Sequence, residues 1–262
     1  MHSNEGGGLS EIDGVIERLG VIIDGARAGG SRMGFFPAVY LQMTLAVRQG
    51  IQDGAFDDGP RMSAFDAAFA ARYFDALALW QADDQTTRSW KVAFGTAERA
   101  DRLVLQNLLV AMNAHINLDL AVVAAEVNPG GDIGLFQADF NRINDVLETL
   151  LDRVEDTVAR FSPLLGVLDR VGGRHEDELL SFSFGQARTQ AWRQAVILSH
   201  LDGAHRQDAV ELLDRKVELL GRIIDAPGGI LGRSLEVVGF AESDDVGAII
   251  DALRAVVPPA VR

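Results

Sequence analysis

The sequence has no cysteine among its 262 residues. Disulfides, thiolate-bound zinc and cysteine nucleophiles are therefore excluded, and the absence fits a reducing compartment. The first residues contain no basic segment followed by an apolar one, so we expect no signal peptide. These features together predict a cytoplasmic protein.

The chain has fewer basic than acidic residues, and it has no phosphate-binding motif. The chain has 24 lysine and arginine residues against 38 acidic ones, a net charge of −14. With no basic patch, neither nucleic acid nor an anionic membrane is an expected partner. The sequence contains no glycine-rich nucleotide or flavin motif and no Gly-x-Ser-x-Gly elbow. Its five histidines are too few for a histidine-rich metal centre.

No segment alternates polar and apolar residues as a strand would. Apolar residues instead recur every three or four positions, which predicts an all-α fold, a multi-helix bundle wrapped around a buried central helix at about 103–126. We predict a disordered lead at 1–8 and a single helical domain at 9–262, with a possible C-terminal helical subdomain from about 207. We also predict a connector at 132–138 and a short helix beginning at Pro163.

The longest apolar run, Leu103–Glu126, carries polar residues in its middle: Asn113, His115, Asn117 and Asp119. It is long enough to cross a membrane, but these side chains would then lie in hydrocarbon, so a buried helix of a soluble protein is favoured. At 100° per residue, His115 and Asp119 share one face, and Asn113 and Asn117 share another about 160° away.

A histidine and an aspartate one turn apart on a buried helix have three interpretations. They can be a structural pair in which the carboxylate orients the imidazole. They can be an acid–base pair, because a neighbouring carboxylate tunes histidine near neutral pH. They can also be two ligands of a divalent metal, although two ligands do not complete a site. A catalytic pair, His115 with Asp119, is the interpretation we favour.

Two further residues, Arg188 and Trp192, are also one helical turn apart. The arginine is a candidate to meet an anionic ligand or an internal carboxylate, and the structural alternative is an arginine packed over the indole. The aromatic stripe that contains Phe65, Phe69 and Tyr73 is typical of a core face. Together with Trp192, these three residues are the expected apolar lining of a pocket.

The octapeptide Asn113–Leu120, NAHINLDL, resembles the NAHINxDL signature of a mostly helical bacterial and fungal family, domain-of-unknown-function family 5995. Shorter pieces between Phe35 and Ala195 resemble the same family. The resemblance implies an internal polar cluster of five residues and supplies no reaction. These residues are Asn113, His115, Asp119, Asn144 and Arg188.

The sequence therefore predicts an enzyme that performs acid–base chemistry on a small, largely hydrophobic molecule in a pocket between helices. A polyketide- or terpenoid-like substrate of secondary metabolism would suit the aromatic lining. The expected substrate-binding residues are Tyr73, Asn113, Asn144, Arg188 and Trp192. Two alternatives stay open: a non-catalytic helical protein that binds a ligand or acts as a scaffold, and a hydrolase or lyase dependent on a divalent metal at His115 and Asp119.

Overall fold

The computed structural model describes residues 5–128, 133–164, 184–258 and 260–261, and every regular element in this part of the chain is a helix. The all-α class is therefore confirmed. A 3-10 turn, Arg32–Gly34, precedes α2, and a π-helical turn, His115–Asp119, joins α5 to α6. The helices are α1 (Glu5–Ala28), α2 (Phe35–Gln52), α3 (Gly59–Gln81), α4 (Arg88–Ala97), α5 (Val104–Ala114), α6 (Leu120–Glu126), α7 (Ile133–Ala159), α8 (Phe184–Ser199), α9 (Gly203–Asp225), α10 (Gly229–Gly239) and α11 (Val246–Arg254).

A central helix of 23 residues, Val104–Glu126, is formed by α5, the π turn and α6. It is long and apolar enough to cross a membrane by length and composition, but 89% of its most apolar window is buried inside the fold. Helices α2, α4 and α9 pack against α5, and α3 and α8 pack against α6. Because neighbours cover it on all sides, the helix tolerates an apolar sequence around its whole circumference. The predicted buried central helix is confirmed.

Local sequence signals explain where several helices begin. The carboxylate of Asp58 accepts from the backbone N–H of Arg61 at 2.9 Å and caps α3, whose first turn contains Pro60. Thr87 caps α4 through the N–H of Trp90. The first N–H of α5 donates instead to Glu242, a residue distant in sequence, at 3.0 Å. Packing between distant segments therefore completes the start of the central helix.

Some predicted boundaries differ from those of the structure. Helix α1 begins at Glu5, inside the segment predicted to be a disordered lead, while residues 1–4 lie outside the described part. Helix α7 begins at Ile133, so it includes most of the predicted connector. Most of the short helix predicted from Pro163 lies outside the described residues. The chain from about 207 includes most of α9, which packs on α4 and α5.

Candidate functional site

His115 and Asp119 lie at the two ends of the π-helical turn in the central helix. The extra residue in this turn is visible in a hydrogen bond from the N–H of Leu120 to the carbonyl of His115, five positions back. Such turns interrupt α-helices rarely and often occur at functional sites. Nδ1 of His115 lies 3.3 Å from Oδ2 of Asp119, so the two side chains meet as their spacing predicts.

Asp119 is almost completely buried and is held by two further donors. Nε1 of Trp90 donates to its Oδ2 at 2.8 Å, and Nε of Arg72 donates to its Oδ1 at 3.3 Å. A buried carboxylate needs such partners, because an unpaired charge in the interior costs several kcal/mol. Trp90 and Arg72 come from α4 and α3, so three elements position this carboxylate beside His115.

Aromatic rings fix the orientation of the His115 imidazole. The ring of Phe69 stacks on it with centroids 3.6 Å apart and planes 10° apart. Tyr40 and Phe36 approach it edge-on, with centroids 4.7 and 5.4 Å away. The imidazole therefore has little freedom to rotate, and its second nitrogen, Nε2, keeps a defined position.

The surroundings also determine which form of His115 is present. Burial lowers the pKa of His115 below its ordinary value of 6.5, and the neighbouring Asp119 opposes this effect only in part. The ring is therefore neutral at pH 7. Because a carboxylate only accepts hydrogen bonds, we assign the proton to Nδ1, which leaves a lone pair on Nε2.

A cavity of about 70 Å³ lies between α2, α3, the central helix and α7. His115 lines it together with Tyr40, Asp66 and Arg188, and the rest of the lining is mostly apolar. A cavity of about 150 Å³ holds benzene, so this one accommodates only a few non-hydrogen atoms unless the lining moves. The size favours a much smaller reacting group than a whole polyketide or terpenoid.

Buried polar atoms without partners concentrate at this cavity. The described residues contain five buried side-chain N or O atoms with no hydrogen-bond partner. Three of the five belong to residues that line the cavity: Nε2 of His115, Oη of Tyr40 and Oδ2 of Asp66. Each such atom costs about 1–3 kcal/mol, so three around one cavity need an explanation. Binding of a polar ligand group there would supply one.

The same burial disfavours the charged forms of Tyr40 and Asp66. Burial raises the pKa of Asp66 from 3.8 to about 7. The pKa of Tyr40 is raised well above 10, first by burial and then by the nearby Asp66 and Asp119. Sequence reasoning missed both side chains as site residues. Tyr40 has a weak sequence signal, since it belongs to a segment that resembles the family, but Asp66 has none.

One of the predicted substrate-binding residues, Arg188, lines the cavity, and a second, Asn144, contacts it from outside the lining. Arg188 is buried in its wall, where Nη2 donates to the carbonyl of Phe140 at 2.7 Å and Nε donates to Oδ1 of Asn144. Its guanidinium lies over the ring of Phe140, 4.3 Å from the centroid, and not over Trp192. Burial lowers the pKa of Arg188 to about 9. Asn144 therefore holds Arg188 in place.

Like Asn144, the other three predicted substrate-binding residues do not line the cavity. Nδ2 of Asn113 donates to the carbonyl of Val217 on α9 at 2.9 Å, and its Oδ1 accepts from Asn117. Tyr73 packs against Phe36, Phe74 and Trp90. Trp192 packs on Phe140 at 4.9 Å. The polar cluster implied by the family resemblance is thus divided, because Asn113 faces α9 while His115 faces the cavity.

The donor set at His115 and Asp119 fits a divalent metal poorly. The described residues contain no group of three or more histidine, aspartate or glutamate side chains able to share an ion. Both oxygens of Asp119 already accept from N–H donors, and one of those donors is the cation of Arg72. A metal ion would have to compete with that positive charge and would gain two protein ligands at most.

A larger groove lies on the surface between α4 and α9, with a volume of about 630 Å³. Its walls are polar and carry both charges, and Arg99 and Asp225 pair across it at 3.4 Å. None of the predicted site residues lines this groove. Compared with this groove, the smaller cavity at His115 is more enclosed and more apolar, and three of its lining residues carry unpartnered polar atoms, which is the usual character of a ligand site.

Fold and site thus define an all-helical protein with a buried histidine–aspartate pair at an apolar cavity. Residues 12–227 match the sequence profile of the family of unknown function DUF5995, and the chain belongs to that family. The resemblance of the NAHINLDL segment is therefore confirmed. No curated protein and no solved structure matches the chain.

Proposed function

We propose that this protein is an enzyme that transfers protons on a small, mostly apolar molecule bound in the cavity beside His115. One observation carries the proposal: Nε2 of His115 is buried without a protein partner at an apolar cavity, while Nδ1 is held by Asp119. A neutral imidazole in this position accepts a proton on Nε2 and later returns it.

The surroundings of His115 support a role as the base. When Nε2 takes a proton, the ring becomes a cation, and the negative charge of Asp119 at 3.3 Å stabilises it. Phe69 and Tyr40 keep the ring in place, so little reorganisation accompanies the transfer. The mostly apolar walls provide a medium of low polarity, which strengthens this electrostatic effect. A cytoplasmic location and a place in secondary metabolism stay predictions.

The proposal is tested with nitroethane, a carbon acid small enough for the cavity. Its rate of proton exchange in heavy water, followed by NMR, reports removal of a C–H proton by a base. We expect exchange above the buffer rate, and we expect His115→Gln to lower it at least about 10-fold. Because the base works in its neutral form, the rate should rise with pH and level off above the pKa of His115.

His205→Gln is the matched control, since His205 is exposed and pairs with Asp202 at the surface. Leu147→Phe is a second variant, because Leu147 lines the cavity and a larger side chain there should obstruct the probe without touching His115. Equal exchange rates for the wild type and His115→Gln would refute the proposal, as would an equal loss in His205→Gln. Unfolding midpoints establish that each variant is folded.

A further inference from the structure

Tyr40 and Asp66 present two more unpartnered polar atoms at the cavity that contains His115. The two residues are 5% and 6% exposed, and neither Oη of Tyr40 nor Oδ2 of Asp66 has a hydrogen-bond partner in the described protein. The phenol comes from α2 and the carboxyl from α3. Two residues from different helices that line the same small cavity therefore each carry an unsatisfied oxygen.

We infer that Tyr40 and Asp66 both donate hydrogen bonds to one oxygen of the substrate, which makes the substrate a small carbonyl compound. The binding of the carbonyl depends on Tyr40 and Asp66 alone. The reaction of the bound molecule rests on the proposed function of His115. A carbonyl oxygen accepts two hydrogen bonds along its two lone pairs, so it satisfies both groups at once.

The protonation state of both groups agrees with this role. The raised pKa of Asp66, about 7, leaves a large share of its carboxyl protonated at neutral pH, and the pKa of Tyr40 lies far above that range. Both groups can therefore donate. The other titratable or charged side chains that line the cavity are His115, from the central helix, and Arg188, from α8. In an apolar site, a tyrosine and a neutral carboxylic acid stabilise an enolate oxygen strongly.

The reaction that follows is an enolisation. The C–H bond beside the carbonyl breaks, and its proton goes to Nε2 of His115. The electron pair of that bond forms a carbon–carbon double bond, and the carbonyl π pair moves to the oxygen, which Tyr40 and Asp66 hold. When a solvent proton replaces the one on Nε2 and is then transferred to the same carbon, the result is exchange; when the substrate carries a double bond next to that carbon, transfer to the far carbon of the conjugated enolate gives an isomer. No oxidant or further reactant is needed.

Acetone labelled with carbon-13 at the carbonyl is the probe, because it has only four non-hydrogen atoms. Hydrogen bonds to its oxygen move the carbonyl NMR signal downfield, and titration gives the affinity. At about pH 6, where Asp66 is protonated, we expect saturable binding with a downfield signal. Loss of one neutral hydrogen bond should weaken binding about 2- to 10-fold, so Tyr40→Phe and Asp66→Leu should each do so and reduce the downfield movement.

Two variants sharpen the test of Asp66. Asp66→Asn keeps an N–H donor that does not titrate, so its acetone binding should be the same at about pH 6 and about pH 8.5, whereas the wild type should lose affinity across this range. Asp75→Asn, an exposed change on the same helix, should behave as the wild type does. Tyr40→Phe and Asp66→Leu each remove a buried oxygen without a partner, so both should stay folded.

Failure of this inference is distinct from failure of the proposed function. His115→Gln should abolish exchange of the acetone methyl protons in heavy water yet keep binding and the downfield signal. Absence of saturable binding, or a carbonyl signal unchanged by both Tyr40→Phe and Asp66→Leu, would overturn the carbonyl assignment. Persistent binding with no exchange in the wild type would leave the two donors in place and refute the role of His115.

Discussion

Asp66→Asn should change the pH dependence of stability. The free energy of unfolding of the variant, minus that of the wild type at the same pH, should be larger at high pH than at low pH. Asp66 is 6% exposed, and burial is the one cause of its raised pKa. In the unfolded chain the same carboxyl has its ordinary pKa of 3.8, against about 7 in the fold. The folded protein therefore binds a proton more tightly than the unfolded chain does.

The sign and size of the effect follow from this difference. A group whose pKa is raised by folding contributes stability that is complete below the unfolded pKa and is lost as pH rises through the folded pKa. From 3.8 to about 7 is about three pKa units, and at about 1.4 kcal/mol each the full loss is about 4 kcal/mol. Between about pH 4.5 and about pH 8.5, the wild type should lose about 3 kcal/mol through Asp66.

Urea unfolding of the wild type and Asp66→Asn at these two pH values measures the effect. Comparison of the two proteins cancels the contributions of all other titrating groups, and equal m-values establish that both unfold by the same amount. The free energy of unfolding of Asp66→Asn, relative to wild type, should rise by about 3 kcal/mol from low to high pH. Asp75→Asn should show no such change. If the difference in the free energy of unfolding between the two proteins did not change with pH, the pKa of Asp66 in the folded protein would be its ordinary value, and the argument from burial would be wrong.

Two further substitutions test the packing around the site. Asp119→Leu should lower the free energy of unfolding by about 3–5 kcal/mol, because Trp90 and His115 lose their acceptor. Asp119→Asn keeps an acceptor oxygen, so its free energy of unfolding should fall by less in the same urea assay. Equal losses in the two variants would contradict the hydrogen-bond argument. Gly50→Ala should lower the free energy of unfolding by about 1–3 kcal/mol, because the new Cβ would lie 2.8 Å from Val261. Gly25→Ala is the control: its Cβ would have no atom within 4 Å, so this variant should be as stable as the wild type or more stable in the same assay.

The His115–Asp119 contact was predictable from the sequence because it is local. Two residues four positions apart on a helix are neighbours whatever surrounds them, and a π turn does not separate them. The π turn itself was not predicted, since its extra residue has no signature in residue types. Trp90 had a weak signal, because a buried indole N–H needs an acceptor, but nothing in the sequence identified Asp119 as that acceptor.

The proposed carbonyl-binding pair, in contrast, was not predictable from the sequence. Tyr40 and Asp66 lie on α2 and α3, far from His115 in sequence, and they reach one cavity only because those helices pack beside the central helix. Asp66 is one of 38 acidic residues, and acidic side chains are usually exposed, so its residue type does not distinguish it. The environment of Asn113 was likewise not predictable from the sequence, because helix α9 covers its side of the central helix and its amide donates a hydrogen bond to the backbone of α9.

By itself, the sequence determined the class of fold, the buried central helix and the meeting of His115 with Asp119. These features depend on hydrophobic periodicity and on contacts within one helix, which are properties of neighbouring residues. Only the tertiary structure decided which polar atoms stay without partners, which carboxyl is buried and where the cavity lies. Those properties depend on how helices distant in sequence pack together, because burial sets both hydrogen-bond satisfaction and pKa.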